Sequence, residues 1–237
     1  MALTIQGFHR QMDWAKDSLL KMGGLVEEAL DNAIRSLSSK DADLARQTIK
    51  GDKRLDALEN EIEERCVKML ATRQPVAVDL RFLTSAIRIS YYLERMGDQC
   101  VNLADRSLVL IALEPMEFPR TLIEMGEVAK EMTRNCLEAF VHRDAVAAQA
   151  VCCRDDDLDN LNRQLLEEMI NWMMDEHRLI KRGVELILTG RHLERIGDEA
   201  TNISEQVVYL VEGKVIRHPG LQEKEPELCG RPKVTDV

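Results

Sequence analysis

The chain is written twice. Met22-Gly23 recurs as Met125-Gly126, Asp41 as Asp144 and Ala45 as Ala148, each 103 residues on. At that spacing Asp52, Leu55, Asp56 and Leu58 return as Asp155, Leu158, Asp159 and Leu161. The spacing then shortens to 100: Leu93-Glu94-Arg95 matches Leu193-Glu194-Arg195, Gly97-Asp98 matches Gly197-Asp198, and Asn102 matches Asn202. A length change confined to a connection is what a structural repeat tolerates, because loops absorb insertions. Whatever this sequence folds into must contain one unit built two times.

That unit is helical. Aromatic residues make up 4% of the chain against 45% hydrophobic in all, with 12 Gly and 6 Pro, whereas strands need β-branched and aromatic residues and frequent turns. Leu19, Met22, Val26, Leu30, Ala33 and Leu37 keep helical spacing within a first helix from about Phe8 to Ser38. Asp41 is placed to cap a second helix that runs to about Thr72, and Pro75 sits near the start of a third that ends near Leu113. The second half repeats the plan with helices from about Arg120 to Val141, from the cap Asp144 to Met174, and from Arg178 to Glu212, stopped by Gly213. Three long helices on short loops pack up-down-up. The expectation is an all-α fold of two tandem antiparallel three-helix bundles, six long helices in all, spanning residues 1–114 and 115–218. Residues 219–237, polar and holding Pro226 and Pro232, read as a flexible tail.

A formal net charge of -10 argues against a nucleic-acid surface. No apolar run approaches the roughly 20 residues that span a bilayer, and Met1 to Lys21 lacks a signal-peptide core, so a cytoplasmic protein is expected. The six cysteines (66, 100, 136, 152, 153, 229) show no CxxC pair or framework spacing, which reads as reduced thiols.

Each half carries two carboxylate pairs at i,i+4: Asp52/Asp56 with Glu94/Asp98, then Asp155/Asp159 with Glu194/Asp198. Residues at that spacing share a helix face, and like charges there oppose helix formation by about 0.2–0.5 kcal/mol per pair. A cost kept in both repeats is easier to understand if cations offset it. Two neighbouring helices with two carboxylates each would suit Mg, Mn, Ca or Fe. The competing reading is that Arg95 and Arg195 neutralise the carboxylates as ion pairs. Gly97 and Gly197 allow a helix or an ion to approach the backbone, and Asn102 and Asn202 offer a ligand carbonyl or an interhelical hydrogen bond.

Other chemistry is sparse. There is no GxxxxGK[ST], GxSxG or GxGxxG, and no histidine lies three residues after a Glu, as di-iron bundles require. His192 reads as a surface residue, Cys100 as a buried small residue. Trp14, Trp172 and the run Met169, Met173, Met174 read as core filler or as an interaction surface.

Two three-helix repeats, each with Leu-Glu-Arg-(Met/Ile)-Gly-Asp-x-x-x-Asn in its third helix, resemble the PhoU family of phosphate-signalling regulators from about Phe8 to His218. The resemblance implies a cytoplasmic, non-enzymatic negative regulator of the phosphate-starvation response. It would act through the phosphate ABC transporter, by its ATPase, and through the sensor histidine kinase, and so be peripheral to the membrane through partners only. It further implies metal clusters on (Glu/Asp)-x-x-x-Asp pairs: Asp52, Asp56, Glu94 and Asp98 for one, Asp155, Asp159, Glu194 and Asp198 for the other. Iron is the first expectation, with manganese, zinc or magnesium as alternatives. A homodimer is expected, although the apolar faces and the Met-rich stretch that would support it also serve each bundle's core. Two other readings stay open: a metal-dependent hydrolase or redox enzyme on the same carboxylates, and a metal-free helical adaptor.

Overall fold

A computed structural model describes residues 2–114 and 117–216, with side chains from residue 7 onward. The expected tail at 219–237 and the Pro115-Met116 part of the boundary lie outside the described residues. Among the described residues every regular element is helical. In chain order these are α1 (Ala2–Ser39), α2 (Ala42–Gly51), α3 (Lys53–Arg73), α4 (Ala77–Ile111), α5 (Arg120–His142), α6 (Ala145–Asp175), a 3-10 turn (His177–Leu179) and α7 (Ile180–Glu212).

Both repeats punctuate their helices by the same chemistry. The Asp41 carboxylate accepts from the N–H groups of Asp43 and Leu44, both at 3.0 Å. Asp144 does the same for Val146 at 2.9 Å and Ala147 at 3.0 Å. Such a cap satisfies donors that the helix cannot, for about 1 kcal/mol. The residues just before, Lys40 (φ 56°) and Arg143 (φ 53°), take the left-handed conformation that closes the preceding helix. Pro75 falls outside α4: Val76 is extended (φ -120°, ψ 152°) and the helix begins at Ala77. A 3-10 turn holds the segment where the last helix was expected to start, and α7 begins at Ile180.

The second expected helix is interrupted at Asp52. Its backbone stays right-handed (φ -55°, ψ -41°), but its carbonyl accepts from Leu55 N–H at 2.7 Å, the tighter i→i+3 pattern. α6, its counterpart, runs through Asp155 without a break.

One hydrophobic core runs through both repeats, drawing Leu19, Met22 and Leu30 of α1 together with Leu93 and Met96 of α4, Met125 and Met132 of α5 and Leu193 and Ile196 of α7. The repeats meet through α1 against α5 and α4 against α7. A Cβ on Gly23 would meet Leu137 and one on Gly126 would meet Ile34, so α1 and α5 run antiparallel. The pairs Arg95–Glu199 and Arg106–Glu185 make α4 and α7 antiparallel too. No helix among the described residues is long and apolar enough to cross a membrane.

The thiol reading holds for Cys66, Cys100, Cys136 and Cys152, whose thiols are reduced. It does not hold for Cys153, which is disulfide-bonded. Disulfide partners are neighbours in space rather than in sequence, so spacing alone did not reveal it.

Candidate functional site

The two carboxylate groupings are assembled by the glycines between them. A Cβ on Gly97 would lie 2.5 Å from Leu55 Cδ1 and 3.3 Å from Asp52 Oδ1. On Gly197 it would lie 2.5 Å from Leu158 Cδ2 and 3.5 Å from Asp155 Oδ1. The bare backbone lets the Leu of one helix seat against the next, and this draws the neighbouring Asp over the same spot. The register that follows sets Asp52 level with Asp98 and Asp56 level with Glu94. In the second half, Asp155 stands level with Asp198 and Asp159 with Glu194.

Electrostatics show that the predicted members face one another. Burial pushes Asp52 up to about 6, helped by the charges of Asp56 and Asp98. Glu94 rises to about 7, by burial first and then by Asp98, Glu59, Asp56 and Asp52. Asp198 rises to about 7, again by burial and then by Glu194, Asp155 and Asp159. Glu194 is raised by burial and Asp159 but held back by Arg191 and Arg195. Asp52 Oδ1 is buried and has no hydrogen-bond partner. All eight carboxylates therefore stand in two groups of four. Among the described residues, however, no three His, Cys, Asp or Glu side chains converge closely enough to hold one ion.

Arg95 does not neutralise the first group. Its Nε donates to Glu199 Oε1 of the other repeat at 2.7 Å and its NH1 donates to the Tyr91 hydroxyl at 3.1 Å. Asn202 is likewise committed elsewhere, its Nδ2 donating to Glu199 Oε2 at 3.0 Å. His192 is half-buried rather than on the surface: its Nδ1 lies 2.9 Å from Gln99 Oε1 across the junction of the repeats. Burial and the charges of Arg195, Arg106 and Arg191 push it down to about 4, so it is neutral at pH 7. Cys100 is fully buried as expected, and burial raises its thiol above the usual range.

Sequence reasoning missed Glu59, whose carboxylate is itself raised by burial, Glu63 and Asp56, and which acts on Glu94. It follows Asp56 by three residues on the same helix face, a signal visible in the first repeat alone, since Asn162 stands at the matching place in the second. Arg154 was missed as well: it pairs with Asp157 and Glu131 beside the second group, where the first repeat has Gly51.

The PhoU domain matches residues 19–107 and again 122–207, once over each repeat. The chain belongs to the PhoU family. It is 39% identical over 228 residues to a PhoU homolog from Pseudomonas putida, named a phosphate-specific transport system accessory protein, covering 95% of this chain and 88% of that one. A homolog of the same name from Aquifex aeolicus is 37% identical over 215 residues, covering 91% and 97%. The crystal structure of PhoU from Pseudomonas aeruginosa superposes with a TM-score of 0.83 at 38% identity, covering 87% of this chain and 100% of that one. The phosphate transport system regulatory protein PhoU from Streptococcus pneumoniae gives 0.82 at 31% identity, covering 89% and 100%. The expected helical architecture and the PhoU resemblance both stand on these findings.

Proposed function

We propose that this chain is a non-enzymatic negative regulator of the phosphate-starvation response. It works in the cytoplasm as a homodimer, through contacts with the ATPase of the phosphate ABC transporter and with the sensor histidine kinase. Support comes from relatives named as accessory and regulatory proteins of phosphate transport, matched over nearly the whole chain. The observation that carries the chemical part is the pair of four-carboxylate groups repeated on the bundle surface.

Those groups fit a metal in donor chemistry. Each offers only carboxylate oxygens, and the first contains the buried, unpartnered Asp52 Oδ1, an arrangement that a hard or borderline cation satisfies. Asp52, Asp56, Glu94 and Asp98 would hold metal on one side, and Asp155, Asp159, Glu194 and Asp198 on the other, iron before manganese, zinc or magnesium. Bound there, a cation supplies positive charge that relieves the like-charge repulsion and presents a surface a partner can recognise. The chain's own part is to hold the carboxylates in register through Leu55 on Gly97 and Leu158 on Gly197.

Deletion of the gene, read with an alkaline-phosphatase reporter in high phosphate, tests the regulatory role: constitutive expression is expected, and unchanged repression overturns it. Joint replacement of Glu94, Asp98, Glu194 and Asp198 by Ala should remove bound metal and repression together. A second reading, the metal-free adaptor, has one observation in its favour: among the described residues no three His, Cys, Asp or Glu side chains converge on one point. Elemental analysis of protein purified without chelator decides between them. Turnover of a phosphate ester by metal-loaded protein would overturn the non-enzymatic reading.

A further inference from the structure

Cys153 is bonded, and within one chain a single partner is left for it. Of the six cysteines, Cys66, Cys100, Cys136 and Cys152 are reduced and Cys153 is disulfide-bonded, which leaves Cys229. Cys152 turns toward α7, its Sγ donating to the Thr201 carbonyl at 4.0 Å. Cys153 lies instead on the outer face of α6, in a stripe with Val146, Ala150, Asp157 and Asn160 at helical spacing. Those four are exposed while Cys153 is half-buried. Its side chain is covered where the rest of the stripe is open.

The way back to it is short and has one direction. Contacts of Gly183 with Met173, Gly190 with Leu165 and Gly197 with Leu158 fix the antiparallel register of α6 and α7. Cys153 is thereby level with Asn202, and Glu212 at the end of α7 is level with the start of α6, about 15 Å away. Thirteen residues lead from Ile216, the last described residue, to Cys229, and that length of chain spans up to roughly 43 Å. A segment that leaves the end of α7 and returns to Cys153 runs in the direction of α6. Residues that follow Cys229 therefore pass the residues of α6 that follow Cys153.

Charge matches in that direction. Asp155, Asp156 and Asp157 follow Cys153, while Arg231 and Lys233 follow Cys229. In extended chain Arg231 lies about 7 Å past Cys229, level with Asp157, and Lys233 about one helical turn further. The acids Glu225 and Glu227 fall on the other side of Cys229, away from the three aspartates. Asp155, Asp156 and Glu205 of α7, which flank Cys153, each hold a partner. The first repeat reverses the pattern: Lys50, Lys53 and Arg54 stand where the second has Cys153, Asp156 and Asp157. It offers no thiol and would repel the same basic segment.

We propose that the C-terminal segment is latched across the outer face of α6 by a Cys153–Cys229 disulfide, that Arg231 and Lys233 then lie along the acids beyond Cys153 and cover the second acidic group, and that reduction releases them. Cytoplasmic disulfides are mostly transient and redox-sensing, which suits a latch. As it closes, a small-molecule disulfide accepts two electrons and two protons from the two thiols and leaves as two thiols, while the Sγ–Sγ bond forms. The latch stands independently of what the acidic group binds; its effect on a cation rests on the metal reading proposed above.

The test is peptide mapping by mass spectrometry of the full chain, alkylated after incubation with oxidised or reduced glutathione. The oxidised sample should yield a linked peptide pair carrying Cys153 and Cys229, absent from Cys153→Ser and Cys229→Ser chains of unchanged helical circular dichroism. Both thiols left open to alkylation, each carrying glutathione, or linked between chains on a non-reducing gel overturns the latch. Arg231→Glu with Lys233→Glu should lower the equilibrium constant for linkage about threefold or more at a fixed glutathione ratio. Adding Asp156→Lys and Asp157→Lys should restore it, and an unchanged constant overturns the charge-guided path. Manganese titrated into Glu94→Ala/Asp98→Ala protein, which keeps only the second group intact, should bind about tenfold more tightly after reduction. Equal affinity overturns the covering of that group. Absence of binding in both states overturns the metal reading and leaves the latch standing.

Discussion

The two repeats share their scaffold and differ in what surrounds it. Leu55 on Gly97 and Leu158 on Gly197 are the same packing event, with the same 2.5 Å approach to a virtual Cβ. Around it the first group is purely acidic: Glu59 joins the predicted carboxylates, and Arg95 is turned away to Glu199. The second is moderated, with Arg191 and Arg195 holding Glu194 back and Arg154 paired to Asp157 and Glu131 nearby. The two repeats thus share the helix register, which is costly to alter, and differ at exposed positions. The first carries concentrated negative charge, and the second carries arginines and the exposed apolar side chains of Leu166, Ile170 and Met174.

If the scaffold is equivalent in both repeats, equal cuts should hurt equally. Leu55→Ala and Leu158→Ala each remove a side chain that is at most 2% exposed, so each should cost about 2–5 kcal/mol in chemical denaturation. Because one core serves both repeats, each variant should shift a single transition; two separate transitions would break the picture. A smaller effect sharpens the asymmetry. Arg95→Ala leaves the buried Glu199 with Asn202 but without its counter-charge, for about 1–3 kcal/mol, whereas Arg195→Ala at the matching place should stay within about 0.5 kcal/mol. Comparable losses would mean the junction is symmetric after all. Asp41→Ala and Asp144→Ala should cost about 1 kcal/mol each, since the two caps make the same pair of bonds.

The smallest effect concerns pH. Asp52, Glu94 and Asp198 are raised in the folded chain from ordinary values of 3.8, 4.5 and 3.8 to about 6, 7 and 7. Between pH 4 and 7 the folded state therefore binds more protons than the unfolded one. Stability from this source is complete below about pH 4 and is lost as the pH rises through 7. In chelator-dialysed protein, melting temperature should fall across that window. Glu94→Gln should flatten the fall more than Glu194→Gln, because no arginine moderates Glu94; the gain at pH 7 is about 0.2–0.5 kcal/mol per relieved pair. An equal response from both variants would remove the electrostatic distinction.

Much of this was legible beforehand because it is local. The Asp41 and Asp144 caps depend on residues two and three positions away, and the i,i+4 pairs on helix geometry alone. The buried face of α1, from Leu19 to Leu37, appeared at the expected spacing. The misses were of another kind. His192 looked like surface because it stands two residues before Glu194 and so off the acidic face, yet it is half-buried against Gln99 from the other repeat. The competing reading, Arg95 as a counter-ion for the carboxylates, fails for the same reason: Arg95 reaches Glu199 of the other repeat instead. The Met-rich run divides in space: Met169 is buried, Met173 packs against Gly183, and Met174 is 65% exposed.

By itself, then, the sequence determined that this protein is helical, where its helices stop, that it is built twice, and which carboxylates lie on common faces. Each of those depends on interactions within a few residues. Only the tertiary structure decided which faces meet: that Leu55 seats on Gly97 and brings Asp52 to Asp98, that Arg95 reaches Glu199, and that Leu166, Ile170 and Met174 are left exposed. Contacts between residues far apart in the chain follow from how whole helices pack, and no local pattern encodes which arginine will find which acid.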